Sequence, residues 1–219
     1  MAERYTSART INPEAGEHAI AASAAEQAAA EAATRLSWRD FPYYAKRYGE
    51  RGWRFSLSDS GWLQTLFELS ASAAKSQMLW LGNLLAARGM PRYLLERHLE
   101  HLHNELVTAT PDQAARYAFL KGLSVHLRGV REASVPAATF QKLSDEFEAR
   151  VGNGPEVVKN MGSVLIAAVA DDHAGIGNVL TSVTQWATDA ERFSPEWIAA
   201  VQATIEQARA ATVSSASVK

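Results

Sequence analysis

Four leucines in the stretch LLERHLEHLHNEL, residues 94–106, decide the fold class. They recur at i, i+4, i+7 and i+11, which places them on one stripe of a helical wheel turned by about 100° per residue. We therefore expect an amphipathic helix that buries this stripe in a core. The four residues are Leu95, Leu99, Leu102 and Leu106.

Outward from this stretch, the rest of the chain also shows helical patterning. Prolines stand where helices should open, because a proline in the first turn leaves no N–H unsatisfied, and Gly89 stands where one should stop. No segment shows the sustained alternation that is typical of a strand. We predict an all-α fold, a multi-helix bundle of about eight to nine helices. The predicted helices cover residues 37–48, 59–69, 73–88, 91–107, 111–131, 136–151, 156–170, 174–189 and 195–211.

Composition divides the chain into three parts. Residues 19–34 are mostly alanine, which favours a helix but removes little apolar area from water. We therefore assign residues 1–36 to an Ala-rich N-terminal arm that is either frayed or docked on something larger. Residues 37–211 are predicted to form the helical bundle domain, with a further boundary at the GNGP of residues 152–155. Residues 212–219 are expected to be a disordered tail.

The bulk composition excludes several classes of protein. The chain has 219 residues, 47% of them hydrophobic, and its formal net charge of -2 gives no general attraction to nucleic acid or anionic lipid. The absence of cysteine excludes disulfides and thiolate metal sites. The sequence shows neither a secretory signal nor a run of about 18 apolar residues. We expect a cytoplasmic protein that binds neither nucleic acid nor membranes.

Three histidines in the opening stretch raise the question of a metal site. His98 and His103 fall on opposite flanks of the leucine stripe and His101 points away from it, so one helix cannot bring all three to one ion. Glu100 and His103 have the Glu-x-x-His spacing of di-iron bundles, but no second such motif exists in the chain. We predict boundary histidines and no metal site. A helical-bundle metal-dependent enzyme built on Glu100 and His103 is a remaining alternative.

A second candidate site lies in residues 38–55, where aromatic and basic residues alternate. Such a mixture can hold a ligand or partner that is apolar with an anionic edge, and it can stack nucleic-acid bases. It can equally pack a core while the basic side chains lie along its edge. We take five residues as candidates for binding a ligand or partner: Trp38, Tyr44, Arg47, Arg51 and Trp53.

A third motif is DDHAGIG, residues 171–177. Vitamin-B12-binding Rossmann domains carry Asp-x-His-x-x-Gly after a strand, whereas here the pattern from Asp171 and His173 ends on Ile176. Because the residues that follow have helical patterning, no doubly wound sheet can be completed. We expect Asp171 or Asp172 to cap the following helix instead. No nucleophile elbow, phosphate-binding loop or metalloprotease motif occurs, so we expect no catalytic residues and a protein that is not an enzyme.

Two longer stretches have a distinctive helical pattern. Residues 80–106 contain Ala-Arg-Gly-x-Pro and then Leu-x-x-His-Leu-x-x-Leu, and residues 164–187 form a second apolar helical stretch. The first resembles the helical sensor regions attached to the B12-binding domains of bacterial regulators, and the second resembles the helical segment that precedes the B12 domain there. We expect no cobalamin-binding domain, because the sequence lacks its pattern. The resemblance implies a stand-alone helical sensor or adaptor module.

Two functional hypotheses follow. The first is a cytoplasmic regulatory or protein-interaction module that forms a homodimer and binds a protein partner, with the Ala-rich arm as the docking element. The alternative is a tetrapyrrole-binding sensor of globin-like construction, which would hold haem or a cobalamin as its cofactor. The candidate axial ligands for that cofactor are His98, His103 and His126.

Overall fold

The computed structural model describes residues 4–154 and 157–213, and most of these residues are helical. Nine α-helices and two short strands occur within these ranges, so the all-α prediction is confirmed. The helices are α1 Ala24–Asp40, α2 Tyr43–Leu63, α3 Ala71–Ala87, α4 Arg92–Ala109, α5 Ala114–Ser134, α6 Ala137–Val151, α7 Met161–His173, α8 Val179–Ala187 and α9 Pro195–Ala210.

A small hairpin near the N-terminus was not indicated by helical patterning. Strand β1 (Tyr5–Ser7) pairs antiparallel with β2 (Ala19–Ala21), with Thr6 opposite Ile20. Strands of three residues are too short for alternation to be visible in the sequence. The hairpin is held by a buried apolar cluster, against which partly buried side chains also pack. The cluster consists of Ala8, Ala15 and Ile20, and the side chains packed against it are Ile11 and Trp62.

The Ala-rich segment forms helix α1, which packs against α2. Alanines buried by 95% or more line its contact face: Ala29, Ala30 and Ala33. The predicted helix start at Ser37 is wrong, because Ser37 lies inside α1 and its hydroxyl donates to the carbonyl of Ala33. The boundary predicted after residue 36 falls within this helix. Alanines bury little area each but let two helices approach closely, which apolar patterning does not reveal.

Helix α2 replaces two predicted helices and the turn between them. Its one interruption is Gly49, with φ 53° and ψ -153°, a conformation that only glycine adopts without strain. The helical path resumes after Gly49 and continues to Leu63. Ser58 precedes the helix predicted over residues 59–69, but it is buried inside α2 and its hydroxyl donates to the carbonyl of Phe55.

The chain divides into two compact units. The first comprises Met1–Trp80 and Glu96–Val125, and the second comprises Leu81–Leu95 and His126–Lys219. Both units are therefore discontinuous in sequence. The predicted leucine stripe of α4 is buried, with exposures of 5% for Leu95 and 0% for Leu99, Leu102 and Leu106.

Helix α7 is the central element of the second unit. Apart from Ser163, every residue from Met161 to Asp171 is buried, because α6, α8 and α9 all pack against this helix. It begins at Met161, later than predicted. Pro155 and Glu156 lie outside the described residues, as do residues 214–219 of the predicted tail.

The start of the predicted tail is fixed to the second unit, since the N–H of Val213 donates to the carbonyl of Ser134 at 3.0 Å. Within the part of the chain that the structure describes, no helix is both long enough and apolar enough to cross a membrane.

Candidate functional site

The aromatic residues predicted in residues 38–55 come together in one cluster. Trp38 stacks on Tyr44, with ring centroids 5.6 Å apart and planes at 9°, and Trp53 meets Trp38 edge-on at 5.2 Å. Trp38 also donates from Nε1 to the hydroxyl of Ser56 at 3.2 Å. Tyr44 is only 8% exposed, and burial raises the pKa of its hydroxyl well above the ordinary value. These rings contribute to the packing of α1 against α2.

The two predicted arginines do not join that aromatic cluster. Arg47 donates to the hydroxyl of Tyr43, and its guanidinium lies over the rings of Tyr43 and Tyr48. Arg51 stacks on Phe55, at 5.0 Å from the ring centroid, and donates from Nε to Oε2 of Glu14 at 2.8 Å. The predicted site is therefore divided into three parts. These are the aromatic cluster, Arg47 with its two tyrosines, and Arg51, which binds Glu14 together with Arg54.

His98 lies in a buried cage of hydroxyl groups. Its Nδ1 is 2.9 Å from the hydroxyl of Ser37 on α1, and its Nε2 is 2.8 Å from that of Ser60 on α2. The hydroxyl of Thr34 lies 3.0 Å from Ser60. Burial lowers the pKa of His98 to about 4, with a smaller contribution from the neighbouring His101. His98 is consequently neutral at pH 7.

The cage satisfies either neutral tautomer of His98. If Nδ1 carries the proton, it donates to Ser37, which donates to the carbonyl of Ala33 at 3.1 Å, and Ser60 donates to Nε2. If Nε2 carries the proton, it donates to Ser60, which donates to the carbonyl of Ser56 at 2.6 Å. An axial-ligand role for His98 would require one of these hydrogen bonds to break.

The other histidines of α4 have separate partners. His101 pairs with Asp40, Nε2 to Oδ2 at 3.0 Å, and the Nδ1 of His103 lies 3.2 Å from the side-chain oxygen of Asn104. Glu100 pairs with Arg97. The half-buried His126, on α5, belongs to the second unit. Among the described residues, no group of three or more His, Asp or Glu side chains has an arrangement that could hold a metal ion.

Asp171 has a role that differs from its prediction. Its Oδ2 accepts from the backbone N–H of Arg92, the first residue of α4, at 2.7 Å, and its Oδ1 accepts from Nε of Arg92 at 2.8 Å. Burial raises the pKa of the Asp171 carboxyl, against the opposing effect of Arg92. The expectation that Asp171 or Asp172 caps the following helix is wrong, because both lie within α7 and Asn178 precedes α8.

Asn178 also reaches back to the turn between α3 and α4. It has a left-handed conformation, φ 68°, and its side-chain amide donates to the carbonyl of Ala87 at 2.8 Å. The polar residues of the DDHAGIG region thus cap the end of α3 and the start of α4. This region and the α3–α4 turn are the two segments that carry the resemblance to B12-associated sensor regions.

An exposed tryptophan was not singled out in the sequence. Trp80 on α3 is 58% exposed, and it meets the half-buried Trp62 edge-on, with centroids 6.3 Å apart. The sequence does indicate this exposure, because Trp80 lies about 200° around the helix from Met78, which is buried. Glu14 and Arg54 were missed as well, because no pattern in the sequence links residues 40 positions apart.

Three comparisons with known proteins gave no match for this chain. No protein-family model matches it, no curated protein is significantly similar to it in sequence, and no solved structure is significantly similar to it in fold.

Proposed function

We propose that this protein is a helical regulatory module that acts through protein–protein contacts, as a homodimer and as an adaptor for a partner protein. The observation that carries the proposal is the exposure of Trp80, which is 58% exposed on α3. Tryptophan is the residue type most enriched at the energetic centres of interfaces, because one rigid ring buries a large area.

The surroundings of Trp80 support the proposal. Its ring contacts Trp62, and Trp62 packs against the buried cluster of the N-terminal hairpin. The exposed ring of Trp80 is therefore in contact with a half-buried side chain that packs against the hairpin cluster. A preorganised aromatic side chain loses little conformational entropy on binding, which favours association.

The Ala-rich arm is not part of this proposal. Ala29, Ala30 and Ala33 of α1 are buried, whereas Ala24, Ala25 and Ala28 are exposed. We place the docking surface at Trp80 because an alanine side chain offers little apolar area to another protein. The adaptor role is also supported by the resemblance of residues 80–106 and 164–187 to sensor regions of bacterial regulators.

The oligomeric state tests the proposal. We expect sedimentation velocity to give a dimer for the wild type at micromolar concentrations and a monomer for Trp80→Gln. The matched control is Val125→Gln, which removes another exposed apolar side chain, 53% exposed on α5, and should leave the dimer intact. A wild type that sediments as a monomer, or an unchanged dimer in Trp80→Gln, would contradict the proposed self-association.

A further inference from the structure

Two arginines on one face of α2 hold a single carboxylate. Arg51 donates from Nε to Oε2 of Glu14 at 2.8 Å, and Arg54 donates from Nη2 to Oε1 of the same residue at 2.9 Å. Each oxygen of the carboxylate thus has its own guanidinium. The two hydrogen bonds from Arg51 and Arg54 lower the pKa of Glu14. We call Arg51 and Arg54 the arginine fork.

The loop that presents Glu14 is anchored by other residues. Asn12 and Ala15, on either side of it, are 0% and 4% exposed. The side chain of Asn12 accepts from the backbone N–H of Glu14 at 3.1 Å, and the carbonyl of Ala15 accepts from Arg9 at 3.3 Å. Because these contacts fix the loop, the fork is not needed to hold the loop in place.

The fork and the loop lie on a solvent-facing part of the first unit. The side chains of Glu14, Arg51 and Arg54 are 42%, 68% and 39% exposed, so the fork is accessible to another molecule. Ala15, next to Glu14, belongs to the same cluster against which Trp62 packs, and Trp62 contacts Trp80. The exposed Trp80 and the arginine fork are therefore linked through adjoining residues.

We infer that the arginine fork is a binding site for a carboxylate of an acidic peptide segment in a partner protein, and that Glu14 occupies it in the free protein as an internal competitor. This inference rests on the proposed function, because it names the chemistry of the partner. Paired guanidinium groups match the two oxygens of a carboxylate, and charge complementarity therefore selects an acidic partner.

Only molecules in which the fork is free can bind the partner. An internal competitor therefore makes the apparent affinity equal to the intrinsic affinity multiplied by the fraction of such molecules. Replacement of Glu14 by glutamine should free the fork without removing the loop anchors. The probe is a fluorescein-labelled hexaglutamate peptide, and fluorescence anisotropy measures its binding to the full chain. We expect Glu14→Gln to bind it at least about threefold more tightly than the wild type.

Glu17→Gln is the matched control. Glu17 lies on the same loop and carries the same charge, but it pairs with Arg9 at 2.6 Å and not with the fork. It should bind the probe as the wild type does. Adding Arg51→Gln and Arg54→Gln to Glu14→Gln should abolish the gain, and thermal melting should show that each variant is folded.

Equal affinities for Glu14→Gln and Glu17→Gln would overturn the inference, since the gain would then reflect net charge alone. A gain that persists without both arginines would overturn it too. Trp80→Gln placed in the Glu14→Gln background should leave the gain unchanged. A failure of the fork is therefore distinguishable from a failure of the self-association proposed above.

Discussion

Lowering the pH from 7 to 5 should destabilise this protein through His98. In the folded state burial lowers its pKa to about 4, whereas the ordinary value is 6.5. Between these two values the unfolded chain binds a proton at this residue and the folded chain does not. The contribution of neutral His98 to the free energy of unfolding is therefore fully present above pH 6.5 and is lost as the pH falls from 6.5 towards 4.

The magnitude follows from the two pKa values. One pKa unit corresponds to about 1.4 kcal/mol, so the full difference corresponds to about 3 kcal/mol. Between pH 7 and pH 5, His98 accounts for about 2 kcal/mol of this loss. Burial disfavours the charged imidazole of His98. The groups that its ring nitrogens contact are neutral hydroxyls, which do not offset that cost as a carboxylate would.

Urea denaturation at pH 7 and pH 5, followed by circular dichroism, measures this contribution. His98→Gln keeps a neutral polar side chain in the cage, so its stability should fall by about 2 kcal/mol less than that of the wild type over the same interval. His103→Gln, at a site where the imidazole contacts Asn104, is the matched control and should follow the wild type. NMR titration of the His98 ring should show no protonation until the pH approaches 4.

Equal losses of stability in His98→Gln and the wild type between pH 7 and pH 5 would refute this role of His98. Titration of the His98 ring near pH 6.5 would also refute it, because the fold would then not disfavour the charged imidazole relative to the unfolded chain.

Two further predictions concern the second unit. Asp171→Ala should lower the free energy of unfolding by about 3 kcal/mol, because it leaves the charge of Arg92 buried and unpaired. Asp172→Ala, at the exposed neighbouring position, should change the free energy of unfolding by less than about 0.5 kcal/mol. Urea denaturation of both variants checks this. Gly162→Ala should destabilise the protein by about 1–3 kcal/mol, because a Cβ there would lie 2.9 Å from Cβ of Phe147. A Cβ at Gly129 on α5 would lie in open space, so Gly129→Ala should raise the melting temperature. Calorimetry compares the two variants, and equal melting temperatures would contradict the packing argument.

Local patterns in the sequence predicted the features that depend on neighbouring residues. The leucine stripe of α4 is buried as its spacing indicated, and the prolines at 136 and 195 stand at the starts of α6 and α9. A helical stripe and a first-turn proline act within one or two turns of a helix. Their physical causes can therefore be read within a short window of sequence.

Features that depend on distant partners could not be predicted in this way. Asp171 was a candidate to cap the helix that follows it in sequence, but it accepts a hydrogen bond from the N–H of Arg92, 79 residues earlier. Glu14 carries no sequence signal for the arginine fork, since its partners lie 37 and 40 residues away. A side chain that can cap or pair in several places takes the partner that tertiary packing brings within reach.

The capping of the α3–α4 turn has a consequence for synthesis on the ribosome. The N–H of Arg92 has no partner until Asp171 is translated, 79 residues later. The carbonyl of Ala87 likewise depends on Asn178, which is translated 91 residues later. The segment Leu81–Leu95 must therefore leave the exit tunnel without the partners that complete its unit. During that interval, its apolar face is open to chaperones and to neighbouring nascent chains. The second unit therefore cannot fold completely until its C-terminal part has been synthesised, although its first segment is made much earlier.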